Sequence, residues 1–440
     1  MRRAVMDQLL AWKAREDRKP LLLTGVRQCG KTYILEEFGE SSFDSYVHLN
    51  FDKQEGLASI FEYDFDVQRI VRELGSMVVG APIVPGKTLL VFDEIQACPR
   101  AIESLKYFCE DMRELHIIAA GSLLGVALAD ENISFPVGKV QRLEMYPMSF
   151  EEFVWAMGGS AQWESLAEMP MDRPVPKLLD IPMKKLYTDY LIVGGMPEVV
   201  ESFRTKRNYE AAEEIQNTIL KDYASDFSKH APAKEVPKIR WIWDSIPQQL
   251  AKENNKFVFS HVKSGKRAAD LEDALLWLEN AGLVYRLPLV ENPEPPLSVF
   301  ADSTYFKLYL ADVGLLRARA GLSYKAILEG ETGYPTFKGA MAENYVMTEL
   351  KTLGFTPYFW RSGNSAEVDF LTEQGGKVVP VEVKSADNTR AKSFRAFCSR
   401  FEPAIGVKLS KKNRAINTEG KTTVYNLPLY EVKRLKLLNS

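Results

Sequence analysis

The chain has 440 residues, too many for one ordinary domain, and 46% of them are hydrophobic, enough to bury sizeable cores. Lys and Arg number 56 against 59 Asp and Glu, a formal net charge of −3 that excludes a wholesale polybasic nucleic-acid binder. No apolar run approaches the ~20 residues that a membrane span needs. The opening segment MRRAVMDQLLAWKARED is charged again at Lys13 and lacks a secretory apolar core. The 4 cysteines (Cys29, Cys98, Cys109, Cys398) have no CxxC spacing, so neither a zinc set nor a disulfide framework is expected and a cytoplasmic setting fits.

In chain order, residues 1–19 predict an amphipathic helix with Val5, Leu9, Leu10 and Trp12 on one face, broken at Lys19-Pro20. Leu21-Leu22-Leu23 is too short for a buried helix and suits a buried strand. A Gly-rich turn and a helix carrying Ile34, Leu35 and Phe38 follow, then strands at Tyr46–Asn50, Thr88–Phe92 and Ile117–Ala120, with helices at about 66–74 and 101–114 between them. Strand–helix alternation with uniformly apolar strands predicts a parallel sheet covered on both faces, ending near Phe150. Residues 151–235 read as helices, interrupted near Pro170–Pro182 and at Gly194-Gly195. In 236–334, helices precede a short strand pair beginning at Leu283, which suits either a winged helix or a plain helical connector. Residues 335–440 return to an α/β pattern, with a helix at Gly339–Leu353, strands at Pro357–Trp360, Glu367–Leu371, Val378–Lys384 and Ala404–Lys408, and a helix at Arg390–Phe401. The expected fold class is therefore multidomain α/β: 1–150 a P-loop core, 151–235 a helical lid, 236–334 winged-helix-like, and 335–440 a second α/β domain.

The sharpest motif is Gly25-Val26-Arg27-Gln28-Cys29-Gly30-Lys31-Thr32, which fits G-x-x-x-x-G-K-[ST]. Glycine at both ends lets backbone N–H groups turn inward around phosphate oxygens, and the following helix adds its positive end. Lys31 is expected to reach the β- and γ-phosphates of ATP, and Thr32 to hold Mg²⁺; Tyr33 completes the candidate nucleotide-binding set. Cys29 is either a reactive thiol at the helix start or a small filler facing the strand. Asp93 and Glu94 end an unbroken apolar strand, the end at which open α/β sheets bind ligands. Asp93 suits the Mg²⁺ shell and Glu94 the polarisation of an attacking water. Ser122, after the next apolar strand, could touch the γ-phosphate or the water.

Taken together, GVRQCGKT, VFDEIQACPR, IIAAGSLLG and SFPVGKVQRLEMYPMSFEEF resemble a branch of prokaryotic AAA-superfamily ATPases whose C-terminal domain is related to PD-(D/E)xK nucleases. The resemblance implies Walker A at Gly25–Thr32, Walker B at Asp93-Glu94 and a sensor at Ser122. Where that family carries arginine in a G-R-V step, this chain has Lys139, which supplies charge but no bidentate fork, and Arg142 stands three residues on. A finger acting in trans, and with it a homo-oligomer, hangs on those two residues.

A second group of acids lies further on. Glu343 falls on a helix, Asp369 on one strand, and Glu382 and Lys384 on one face of another. Such a group could bind Mg²⁺ through its carboxylates while the lysine polarises a water, or it could be ordinary strand alternation. The resemblance implies the former, a nuclease-like site. Residues 331–440 hold 17 Lys and Arg against 11 Asp and Glu, and the run Lys408–Arg414 is either a contact for a DNA backbone or a solvated lysine-rich turn. The function expected from all this is a Mg²⁺-dependent ATPase acting on or with DNA. The alternatives are a nucleotide-gated switch that binds DNA or protein with slow hydrolysis, and an ATP-regulated metal-dependent nuclease.

Overall fold

Four of the short runs, with a fifth strand that was not anticipated, form one wholly parallel sheet: β1 (Leu21–Thr24), β2 (Ser45–Asn50), β3 (Thr88–Asp93), β4 (His116–Ala120) and the unforeseen β5 (Gln141–Glu144). Their order is β2-β3-β4-β1-β5, so β4 is inserted between the strand before the Gly-rich loop and the strand that ends in Asp93. β3 and β4 are buried along their whole length, the reason they read as unbroken apolar runs. The structure is a computed structural model describing residues 1–54, 56–128, 135–252, 256–329, 335–363, 366–385 and 392–439. It divides into two units, Met1–Pro147 with Asn280–Leu283, and Met148–Glu279 with Val284–Ser440. Arg390 and the boundary expected at 334/335 touch residues outside those described.

In the first unit, helix α1 (Val5–Lys13) buries Val5, Leu9 and Trp12. Leu10 was expected on the same face but is 45% exposed, because adjacent helical residues point about 100° apart and only one of Leu9 and Leu10 can face inward. Helix α2 (Lys31–Ser42) starts directly after the loop and buries Ile34, Leu35 and Phe38. Asp66 caps the helix Val67–Glu73 by accepting the N–H groups of Gln68 and Arg69. Phe51, Phe61, Phe92 and Phe108 pack in tilted and edge-on pairs in a core shared by β3 and the helices Leu57–Glu62, Val67–Glu73 and Pro99–Asp111.

The second unit opens with helices. Ser149 and Glu152 form a capping box on Phe150–Ala156. The helix Lys177–Val193 runs through Pro182, where a break was expected, and it stops at Gly194. Then come β6 (Val284–Val290) and β7 (Ala301–Leu310), followed by β8 (Tyr358–Ser362), β9 (Ala366–Gln374), β10 (Lys377–Lys384), β11 (Ile405–Ser410), β12 (Ala415–Glu419) and β13 (Thr422–Pro428). All eight form one mixed sheet in the order β12-β13-β11-β10-β9-β8-β6-β7. The antiparallel pair β6–β7 follows helices, as a wing would. It is not a free-standing hairpin, because β6 also pairs in parallel with β8 through Leu289 and Val290 against Phe359 and Trp360. The strands β12 and β13 and the terminal 3₁₀ segment Leu429–Asn439 were not anticipated.

The expected DNA contact at Lys408–Arg414 is largely internal. Lys408 is buried against Glu419 at 2.9 Å. Arg414 is buried in a bidentate pair with Glu431, 2.5 and 2.7 Å away, and donates to the carbonyl of Pro170 at 2.9 Å. Lys411 and Lys412 alone in the run are exposed cations. Alternation along β11 turns Lys408 inward, and a guanidinium buried at position 414 has been matched by an acid brought from the chain's end.

Helix Pro335–Thr352 carries a buried acid, Glu349, whose Oε1 accepts the Phe150 N–H at 2.8 Å. Burial, reinforced by Glu152 and Glu151, pushes its carboxyl up to about 8 from an ordinary 4.5, although the Phe150 N–H works the other way. The folded chain therefore binds more protons than the unfolded chain between those values, and stability falls as pH rises through that window. Glu349→Gln keeps the acceptor and removes the charge. It is expected to be more stable than the parent by roughly 2–4 kcal/mol above pH 8 and to converge with it near pH 5. Thermal unfolding of both chains at the two pH values checks this; a parallel pH dependence would contradict it.

Candidate functional site

β1 ends at Thr24 and α2 begins at Lys31, so the six residues between them must reverse direction in a tight loop. Gly25 (φ +147°), Gln28 (φ +65°) and Gly30 (φ +92°) take the positive φ values that make this turn. A Cβ on Gly25 would lie 2.1 Å from the Met145 carbonyl oxygen, so glycine is demanded there by a neighbouring backbone as well as by the loop's curvature. Lys31 curls back over the loop and donates to the carbonyls of Gly25 (2.7 Å) and Val26 (3.0 Å). Cys29 is buried with its Sγ 3.6 Å from the Met145 oxygen, which fits the small filler and not an accessible thiol. Tyr33 is exposed on the first turn of α2. Arg3, a residue that motif reading passed over, donates to the carbonyls of Cys29 (2.9 Å) and Tyr146 (2.7 Å) and so fixes the loop's outer side.

At the same sheet end, Asp93 is buried. Its Oδ2 lies 3.3 Å from the Thr32 hydroxyl, which donates to it, and 3.0 Å from His48 Nε2; its Oδ1 accepts the Glu94 N–H at 3.0 Å. A carboxylate only accepts, so this contact uses the protonated nitrogen of the His48 ring. Burial is the largest influence on Asp93 and opposes its charge, but His48, the Glu94 N–H and Thr32 together hold the carboxyl below its ordinary range. His48 was also missed; its signal was a polar side chain near the end of β2, the strand beside β3.

Glu94 sits in left-handed backbone (φ +49°). Its Oε2 accepts from Gln96 Nε2 at 2.5 Å and from both the N–H and the hydroxyl of Ser122 at 3.2 Å. The insertion of β4 next to β3 is what brings Ser122 to Glu94. Lys31, Thr32, Asp93, Glu94 and Ser122 are thus linked at one edge. Lys139 and Arg142 make their contacts elsewhere: Lys139 pairs with Glu110 at 2.7 Å, and the Arg142 guanidinium lies 4.5 Å from the centre of the Phe135 ring.

In the second unit, the expected acids do come together, with unexpected company. Asp369 Oδ2 on β9 accepts the Val383 N–H at 2.7 Å, and Glu382 Oε1 on β10 pairs with Lys384 at 2.6 Å. Burial, with Glu382 and Glu343 nearby, raises the Asp369 carboxyl well above its ordinary range, and burial raises Glu382 against the pull of Lys384. Glu343 Oε2 accepts the Tyr309 hydroxyl at 2.7 Å and lies 3.5 Å from Lys307, whose ammonium is 2.6 Å from Glu367 Oε1. Lys307 and Tyr309 were not among the expected site residues, and Glu367 was expected only as the start of a strand. Among the described residues, no three His, Cys, Asp or Glu side chains are gathered as a ready cage for a metal ion; Lys307 stands beside Glu343, and Lys384 beside Glu382.

Comparison with known proteins finds three matching segments. Residues 17–154 match the model of an AAA domain. Residues 184–326 and 338–430 match two domains of unknown function, DUF8612 and DUF4143. An uncharacterized protein of Haemophilus influenzae is 23% identical over 406 residues, covering 86% of this chain and 85% of its own. Among solved structures, the Walker-type ATPase of Pyrococcus abyssi is 14% identical, with 72% of this chain and 95% of that chain covered at a TM-score of 0.46. Cdc6p of Pyrobaculum aerophilum is 13% identical, with 74% and 92% covered at 0.28.

The close approach at Gly25 yields a test of the loop. Gly25→Ala is expected to cost at least about 2 kcal/mol, because the new Cβ meets backbone that cannot yield. Gly56→Ala, with nothing within 4 Å of the added carbon, is the tolerated control. Melting temperatures of the two variants within about 1 °C of each other would contradict the described packing. The loop and the inserted strand fall within residues 17–154, so this part of the chain is a parallel-sheet P-loop core similar to an AAA domain.

Proposed function

We propose that the chain is a Mg²⁺-dependent ATPase that converts ATP and water to ADP and phosphate. The observation that carries this reading is the link from Thr32 to Asp93 at 3.3 Å, beside Lys31 and the Glu94–Ser122 pair. Thr32 and Asp93 are hard oxygen donors from two elements, a set suited to magnesium. They would hold the ion, which when bound neutralises phosphate charge. The loop's backbone N–H groups from Gly25 to Gly30 would cradle the phosphates, with Val26, Arg27, Gln28 and Cys29 contributing main chain and Tyr33 lying beside them. Lys31 would exchange its two carbonyl partners for phosphate oxygens. Asp93, held ionised by His48, would stay poised for the ion. Glu94 would orient the attacking water and take its proton.

A second reading draws on the way Glu94 is held. A carboxylate already accepting from Gln96 and Ser122 is poorly placed to take a proton, which favours slow basal turnover and a nucleotide-gated switch. Release of Glu94 from Ser122 would then be the activating step. Within this proposal the protein works in the cytoplasm, and DNA is the partner suggested by the basic excess of residues 331–440. Lys139 and Arg142 would serve a neighbouring copy in a homo-oligomer. The remainder, 151–235, 236–334 and the nuclease-like 335–440, would form the lid, the winged-helix-like connector and the output domain.

Lys31→Ala is expected to abolish ATP binding. Glu94→Gln is expected to bind ATP normally and hydrolyse it more slowly by about 10²-fold or more. Phosphate release and binding of a fluorescent ATP analogue, measured on purified chains, separate the two effects. Unchanged turnover in Glu94→Gln would remove Glu94 from the chemistry. Ser122→Ala distinguishes the readings: faster basal turnover supports the switch, and slower turnover supports a sensor that positions the water.

A further inference from the structure

The acids of the second unit are not a free carboxylate set. Lys307 projects from β7, at the far edge of the sheet, and is fully buried. Its ammonium stands 2.6 Å from Glu367 Oε1 and 3.5 Å from Glu343 Oε2, over the face of Phe359 at 5.1 Å. A divalent ion bound by those same oxygens would need them at about 2.0–2.6 Å, in the space the ammonium fills. Two cations at such a distance in a buried pocket would also repel strongly. The other half of the cluster differs. Glu382 is buried, and among the described residues its Oε2 has no hydrogen-bond partner; Lys307 Nζ, which likewise lacks a well-angled hydrogen bond, is held in an ion pair by Glu367. Lys384, which pairs with the other oxygen, is partly exposed and on a flexible stem, so it can move aside.

We propose that Lys307 is the resident cation of the Glu343–Glu367 half of this cluster. Glu343 is thereby closed to metal, and the Asp369–Glu382 half is left as the place for one divalent ion. A lysine takes the position in which a second ion would otherwise sit. The proposal rests on the second unit alone and is independent of the ATPase reading.

The test uses the full chain carrying Thr32→Ala and Asp93→Asn, the two residues that would hold an ion in the first unit, without nucleotide. Bound Mn²⁺ is counted by electron paramagnetic resonance, and its effect on thermal unfolding is recorded. In this background, Glu343→Gln is expected to change Mn²⁺ affinity by less than about twofold. Lys307→Met is expected to gain a further Mn²⁺ and a matching rise in melting temperature on adding the ion, a gain lost in Lys307→Met/Glu343→Gln. Lys307→Arg keeps a cation and is expected to gain none. The proposal is overturned if Glu343→Gln weakens Mn²⁺ binding about tenfold or more in the Lys307 background, or if Lys307→Met gains no ion. It is equally overturned if Lys307→Met stays unfolded with Mn²⁺ present while Lys307→Arg folds, since an acid pair able to accept the ion should be rescued by it.

Discussion

Asp93 receives hydrogen bonds from three separate segments: the Thr32 hydroxyl at the start of α2, His48 from β2, and the backbone of its own turn at Glu94. A buried carboxylate is costly unless each oxygen is satisfied, and here the satisfaction is what sets the site. The bond to Thr32 ties the loop to the acid strand. The bond from Glu94 N–H turns the next side chain away from β3 and toward Ser122. Loss of the Asp93 charge would therefore loosen the loop, the turn and the strand beside it together, which is why the first unit is best understood as organised around this one group.

The second unit solves a similar problem with more charges. Arg414 and Arg434 share Glu431, with 2.5 and 2.9 Å contacts to its Oε1, and both also donate to main-chain carbonyls of the segment Leu166–Pro170. Lys307 is set among Glu343 and Glu367. Networks of this kind add little net stability over a well-packed apolar core, but removing one member leaves an uncompensated buried charge. They consequently make alternative packings of these strands and helices expensive, because any slip separates the partners.

Much of the first unit was legible because its signals are local. The G-x-x-x-x-G-K-T spacing, the unbroken apolar strands and the acids at the end of Thr88–Asp93 each occupy a few consecutive residues. Arg3, His48 and Gln96 were not, since each acts on a residue far away in sequence and carries no local pattern. Leu10 was misjudged because a helix face is narrower than a run of two leucines suggests. In the second unit, strand alternation put Glu382 and Lys384 on one face, and the family resemblance joined Asp369 and Glu343 to them. Lys307 escaped because it lies on β7, in a stretch expected to belong to a different domain, and only the pairing of β6 with β8 brings it to the acids. Lys408 and Arg414 looked like surface charge because composition does not reveal which acids will cover them.

The pairing of β6 with β8 also bears on how this protein can be divided. The segment matching one domain of unknown function ends at residue 326, and the segment matching the other begins at 338. A cut between them falls across a continuous sheet: it strips β8 of its neighbour and bares a row of backbone N–H and C=O groups on either fragment. It also parts a lysine from both its counter-ions. In this chain the two matched segments thus share one sheet, and each fragment alone would carry a sticky seam prone to self-association.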